Sequence, residues 1–232
     1  MSNYIIYHHP ICPFSRKVRI LLSEKDISFI LEEIKVWERK ADFIKLNPAN
    51  EIPVIKNTRT GEYICDSAVI CEYLEELHTE NNDLLKGGFL GSNPIDRAET
   101  RRLQAWFDRK FYNEVTKYVV EEKIYNRFLH RRHIPNTQKL KAAQYNLDTH
   151  MKYVDYLLQS RKWLAGENFS LADISAAAQF SSLDYLGDIP WKKLKRVKEW
   201  YATIKSKKGF QPLLKDKLEG FRPPAWYSDL DF

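Results

Sequence analysis

Hydrophobic positions change period along the chain. Tyr4-Ile5-Ile6-Tyr7 is a short β-prone run of the kind that fills a buried central strand. The turn His9-Pro10-Ile11-Cys12-Pro13 follows, and Pro13 suits the first turn of a helix, where its missing N–H costs nothing. That helix is expected to run to about Lys25 with Val18, Leu21 and Leu22 on one face. Residues 27–34 predict a second strand, with Phe29 and Leu31 turned inward. Residues 37–46 predict a helix that stops before Asn47-Pro48, because the residue before proline resists the α region. Pro53-Val54-Ile55 opens a third strand, Thr58-Arg59-Thr60-Gly61 is a turn, and Tyr63-Ile64-Cys65 returns as a fourth. Ser67 then opens a helix to about His78. Local connections and right-handed crossovers make this order a small mixed sheet with helices packed on it.

The remainder reads as helix. Leu103, Phe107, Phe111, Val115 and Val119 recur every fourth residue, and Leu140, Ala143, Leu147, Met151, Val154 and Leu158 follow a three-four stripe. Ser170 with Asp173 three residues on is a capping box, and Phe169 with Ile174 a hydrophobic staple. Asn81-Asn82-Asp83, Gly87-Gly88, Gly91 and Asn93-Pro94 form the most linker-like stretch. The expected division is therefore a sheet domain over 1–79, a linker over 80–94, an all-helical domain over 95–218 and a C-terminal tail over 219–232.

Composition narrows the class. Of 232 residues, 44% are hydrophobic and 29% charged, which supports a packed core and excludes compositional disorder. No apolar run is long enough for a membrane span, and no secretory signal opens the chain. Three cysteines, Cys12, Cys65 and Cys71, point to reduced thiols in a cytoplasmic setting rather than a disulfide framework, and their spacing gives no metal site. The net charge of +6 is uneven: ten Lys or Arg stand against Glu199 and Asp216 between Trp191 and Lys217. Such a stretch can face an acidic partner or be a solvated helix face. The second fits better, and no nucleic acid is expected as a partner, because no nucleic-acid module accompanies the charge.

Three local features can carry chemistry. Cys12-Pro13-Phe14-Ser15 places a thiol at a helix start, where free N–H groups and the dipole favour thiolate, with Arg16, Lys17 and Arg19 as nearby cations. Ser15 can offer a hydroxyl to the sulfur but cannot resolve a disulfide, which suits exchange with a small external thiol; an inert buried cysteine is the alternative. Ile52-Pro53 at a strand start can be cis, leaving the Ile52 backbone free to pair with an extended peptide, or can be an ordinary trans edge proline. Asp66-Ser67 at a helix N-terminus can hold a carboxylate and an ammonium, or can be a plain cap.

Taken together, in this order and spacing, these three features resemble the N-terminal domain of a glutathione S-transferase, and residues 166–173 resemble that family's helical-domain signature. The resemblance implies an α/β plus all-α fold, a thioredoxin-like N-terminal domain followed by a helical C-terminal domain, and a homodimer. It implies that Cys12 is a catalytic thiol assisted by Ser15, as in cysteine-type members, in glutathione-dependent thiol transfer. Asp66 and Ser67 would then hold the γ-glutamyl end of glutathione, the Ile52 backbone its cysteinyl part, and Pro53 would be cis. Glutathione would be the co-substrate, with a small disulfide or electrophile as its counterpart and no metal. Asp66 departs from the longer Glu or Gln usual there, and Cys12 replaces the usual tyrosine or serine, which disfavours conjugation of glutathione to electrophiles.

A second resemblance points elsewhere. His8-His9-Pro10, Ser15-Arg16-Lys17-Val18-Arg19 and the terminal Arg222-Pro223-Pro224-Ala225-Trp226-Tyr227-Ser228-Asp229-Leu230-Asp231-Phe232 are similar to a bacterial subgroup of transferase-like proteins. Members of that subgroup work in cell division by binding FtsZ. It implies a non-catalytic interaction protein. The tail, with two prolines, two aromatics and an acidic apolar end, can be a docking peptide or can pack back on its own domain.

Overall fold

A computed structural model describes residues 2–79, 88–130 and 132–230. The first part is a four-stranded mixed sheet in the order β2-β1-β3-β4, formed by β1 (Tyr4–His8), β2 (Phe29–Glu33), β3 (Val54–Asn57) and β4 (Tyr63–Cys65). β1 runs parallel to β2 and antiparallel to β3, and β3 and β4 form the hairpin. Helix α1 (Pro13–Glu24) makes the crossover, with Val18, Leu21 and Leu22 buried as their spacing predicts. Helix α3 (Ser67–Thr79) follows the hairpin.

Two local expectations fail, each for a physical reason. Leu31 is 39% exposed rather than turned inward, because β2 is an outer strand whose pairing side is met only by β1. Residues 37–46 do not form one helix. A 3₁₀ turn (Val36–Glu38) ends at Arg39 in the left-handed region (φ 47°), and α2 (Ala41–Leu46) begins afresh.

The helical part opens at Pro94, with the Asn93 side chain accepting from the N–H groups of Ile95 and Asp96. Residues 80–87 of the expected linker lie outside the described residues. Phe89 and Leu90, in its remainder, are buried; the Phe89 N–H donates to Glu75 and its carbonyl accepts from Leu171. α4 (Pro94–Ala105) continues through π-helical Trp106–Thr116, α5 (Lys117–Val120), π-helical Glu121–Tyr125 and α6 (Asn126–Leu129). The wide turns have a sequence basis. In an α-helix a step of four overshoots one turn by about 40°, so a stripe spaced strictly by four would drift around the helix. Wider turns straighten it, and Leu103, Phe107, Phe111, Val115 and Val119 are all buried.

Helices α7 (Thr137–Leu157), α8 (Leu171–Tyr185) and α9 (Lys195–Lys205) complete the bundle. Every residue of α8 is buried, as expected of a helix apolar or small on all sides. Its start is the capping box: Ser170 Oγ accepts from the Ala172 N–H, and Asp173 accepts from the N–H groups of Ser170 (3.1 Å) and Leu164 (2.9 Å), from Ser170 Oγ and from Trp200 Nε1 (2.9 Å). α8 packs against α1 and joins the two parts. At the far end of α1 the Gly209 N–H donates to Glu24 (2.7 Å), and a Cβ on Gly209 would stand 2.6 Å from that carboxylate and 2.7 Å from the Ile20 carbonyl.

Candidate functional site

Cys12 caps α1 by its backbone alone, in an extended conformation with no side-chain cap bond. Its Arg16 N–H partner at the first turn closes on the Cys12 carbonyl at 3.0 Å. The thiol is 4% exposed, and Sγ faces the Ile52 carbonyl at 3.7 Å across the sheet domain. Burial pushes the thiol pKa up, against the opposing pull of the Ser15 hydroxyl, the Ser15 and Phe14 N–H groups and Arg16. The helix start and its N–H groups do favour thiolate, and desolvation opposes them.

The three cations that the sequence offers to the thiol are engaged elsewhere. Arg16, fully buried, donates from Nε to the Pro10 carbonyl (2.6 Å) and from Nη1 to the Tyr227 hydroxyl (3.0 Å). Lys17 pairs with Asp108, and Arg19 grips Asp216 with two bonds of 2.8 Å. Buried cations need such partners, so Lys17 and Arg19 are committed away from the sulfur, while Arg16 still pulls against the rise in the thiol pKa. Cys12 instead lies near the hydroxyls of Tyr112 and Tyr125, whose own pKa values burial raises further, with the Phe14 ring 4.6 Å from that of Tyr112. Both tyrosines come from the wide-turned helix; Tyr112 stands in the aromatic run 106–112 that the sequence offers as packing or cleft lining, whereas no motif marks Tyr125.

Beside this turn is a cleft of about 530 Å³ between the two parts. Phe14, Ile52, Pro53, Asp66 and Ser67 line it on one side, and Arg101, Gln104, Asp108 and Arg109 on the other. The Ile52–Pro53 peptide bond is cis. The structure brings Ile52, Pro53, Asp66 and Ser67 together on one cleft wall, while Cys12 is outside the lining with its sulfur against the Ile52 carbonyl. Asp66, at φ 71°, folds back so that Oδ1 accepts from the Ala68 N–H (2.7 Å) and the Val69 N–H (3.3 Å). That side chain caps α3 and takes first-turn donors that a ligand carboxylate would use. Of the charged groups, Arg101 holds Glu72 with two bonds and Asp108 holds Lys17, which leaves Glu51, Asp66 and Arg109 to meet a ligand.

The tail packs back on its own domain. Tyr227 is buried, accepting from Arg16 and donating to the Leu213 carbonyl (3.2 Å), and Lys205 Nζ donates to the carbonyls of Trp226 (3.0 Å) and Asp229 (2.5 Å). Three cations of the basic stretch pair with acids from other elements: Lys193 meets Asp148, Arg196 meets Asp155 and Lys208 meets Asp26. His8 and His9 are buried, and burial lowers their pKa values to about 3 and about 4. Among the described residues no cluster of His, Cys, Asp and Glu can hold a metal, and no helix is long and apolar enough to cross a membrane.

A mixed four-stranded sheet with a cis-proline cleft, set on a bundle built around a capped buried helix, defines a class. Residues 11–77 match the family model of the glutathione S-transferase N-terminal domain, and residues 117–208 match that of the C-terminal domain. The chain belongs to the glutathione S-transferase family. Within it, the chain is 42% identical over 229 residues to FtsZ-localized protein A of Caulobacter vibrioides, covering 98% of this chain and 97% of that protein. The structure of FzlA from C. crescentus superposes with a TM-score of 0.93 at 41% identity over the whole of both chains. A glutathione S-transferase from Rhodospirillum rubrum superposes with a TM-score of 0.92 at 41% identity, over 99% of this chain and all of that one.

Proposed function

We propose that this chain works by binding, as a cell-division protein that associates with FtsZ, on a glutathione S-transferase scaffold. The observation that carries this reading is the closed thiol: Cys12 is buried and outside the cleft lining, burial pushes its pKa up, and Lys17 and Arg19 beside it are committed to other partners. A fold retained while its chemistry is shut away is a frequent route to a binding role. The near full-length similarity to FtsZ-localized protein A supports FtsZ as the partner. The test is co-sedimentation with polymerised FtsZ at low and at physiological salt. Pelleting with polymer but not alone is expected, and no pelleting at either salt overturns the reading.

A second reading, favoured by the cis-proline cleft itself, is glutathione-dependent thiol transfer with Cys12 and Ser15 as the reacting end and Ile52, Pro53, Asp66 and Ser67 holding glutathione. Cys12 would lose its proton to solvent and attack one sulfur of a glutathionyl disulfide. A Cys12–glutathione disulfide would form as the other thiolate leaves and is protonated, and a second glutathione thiolate would release Cys12 as oxidised glutathione departs. Its test is intact mass after incubation with oxidised glutathione. One adduct, absent from Cys12→Ser, supports it; none on the folded native protein rules it out. Both readings carry the domain division at 80–94, a homodimer and a cytoplasmic setting as parts of the proposal.

A further inference from the structure

The segment after Leu218 is attached to the body in an unusual way. From Glu219 to Leu230 one side chain is buried, that of Tyr227, while its neighbours Ala225, Trp226, Ser228 and Asp229 are exposed. Tyr227 goes in where the helical part meets the turn that carries Cys12. Its ring packs edge-on against Tyr185 at 5.1 Å, in a small cluster that includes Ile11. Its hydroxyl accepts from Arg16, and Arg16 in turn holds the Pro10 carbonyl at 2.6 Å, two residues before Cys12. The next carbonyl, that of Ile11, is held from the other side by Ser182 Oγ of α8 at 2.8 Å.

The turn is thus gripped by two consecutive carbonyls. The α8 grip is fixed, since α8 is buried on all sides. The Arg16 grip is conditional. Arg16 is fully buried, and its Nη2 is 3.9 Å from Asp216, an ion-pair distance rather than a hydrogen bond. A buried guanidinium that loses one of its few partners does not keep its geometry, because an unsatisfied buried charge is costly. We propose that Tyr227 is a positioning residue: through Arg16 it locks the His9–Cys12 turn and keeps the Cys12 thiol closed. The reactivity of Cys12 then depends on whether the C-terminal segment is seated. This holds for a binding protein and for a thiol transferase alike.

The three cysteines make the test internally controlled. Cys65 is part-exposed, and Cys71, on the core-facing side of α3, is fully buried and belongs to a different cluster from Tyr227. The full chain is treated with N-ethylmaleimide, and modification of each cysteine is followed by peptide mass. Tyr227→Phe keeps the ring and removes the hydroxyl; Cys12 should react about tenfold faster, the effect of one lost bond to a buried charged group on local opening. Tyr227→Ala also empties the ring site and should speed Cys12 further, while Cys65 and Cys71 keep their native rates in both variants. Unchanged Cys12 rates in Tyr227→Phe overturn the proposal. So does a parallel rise at Cys12 and Cys71, which would mean that the whole chain loosens rather than the turn. If Tyr227→Ala fails to fold, the phenylalanine variant decides alone.

Discussion

Helices α1 and α8 both begin after a small side chain on an extended residue, Cys12 in one and Ser170 in the other, yet the two starts are used in opposite ways. Ser170 and Asp173 satisfy one another and the surrounding N–H groups within a few residues, and Trp200 completes the set. Cys12 makes no cap bond, and the charges of its first turns reach across the chain: Arg16 to Tyr227, 211 residues away, and Arg19 to Asp216, 197 away. The difference teaches that a helix start becomes a structural anchor when its partners are local. When its partners are distant, its chemistry is set by whatever tertiary contact claims them.

The largest expected effect tests the first half of that contrast. Asp173→Ala removes the acceptor of Leu164, Ser170 and Trp200 donors inside the core and should cost about 3–5 kcal/mol in urea unfolding at neutral pH. A cost below about 1 kcal/mol would show that the capping box is not the anchor described.

The next effect is in pH, where the two regions pull in opposite directions. At the α8 side, Asp173 and Asp184 are raised to about 6 by burial. The fold therefore binds their protons more tightly than the unfolded chain, and their stabilisation is present below about pH 4 and lost as pH rises to 6. Before the Cys12 turn, His8 and His9 are lowered to about 3 and about 4 from 6.5. The unfolded chain takes up those protons first, so stability falls as pH drops from 6.5 towards 4. His9→Phe keeps a ring against Trp37 and Tyr125 but cannot titrate. Relative to the native chain it should gain on the order of 2–3 kcal/mol between pH 6.5 and 4. A gap that does not change with pH would break the contrast.

The smallest effect is expected at the thiol itself. Cys12→Ser should change unfolding stability by about 1 kcal/mol or less and leave association with FtsZ polymer intact, since neither reading of the fold asks the sulfur to hold the structure. Lost co-sedimentation in this variant would instead tie the thiol to binding.

The same contrast explains how much was legible in the sequence. The strands, α1, α3, the buried stripes and the Ser170–Asp173 cap follow from period and local pairing, and the cleft residues Ile52, Pro53, Asp66 and Ser67 do converge. The wide turns after Ala105 were written in the strict spacing of four from Leu103 to Val119, a signal that an α-helix alone does not explain. The break at Arg39 and the exposure of Leu31 depend on a left-handed residue and on sheet order, which composition does not encode. Arg16, Lys17 and Arg19 looked like activators of Cys12 because sequence shows proximity along the helix and not the acids and phenol that fold onto them.

Gly209 gives the seam between the two parts its gauge. Since a Cβ on Gly209 would meet the Ile20 carbonyl and Glu24 well inside contact distance, the approach of α1 to this loop depends on an atom that is missing. A methyl there acts as a wedge: the Glu24 carboxylate can swing aside, but the Ile20 carbonyl is helix backbone and can yield only if α1 and the Gly209 loop move apart.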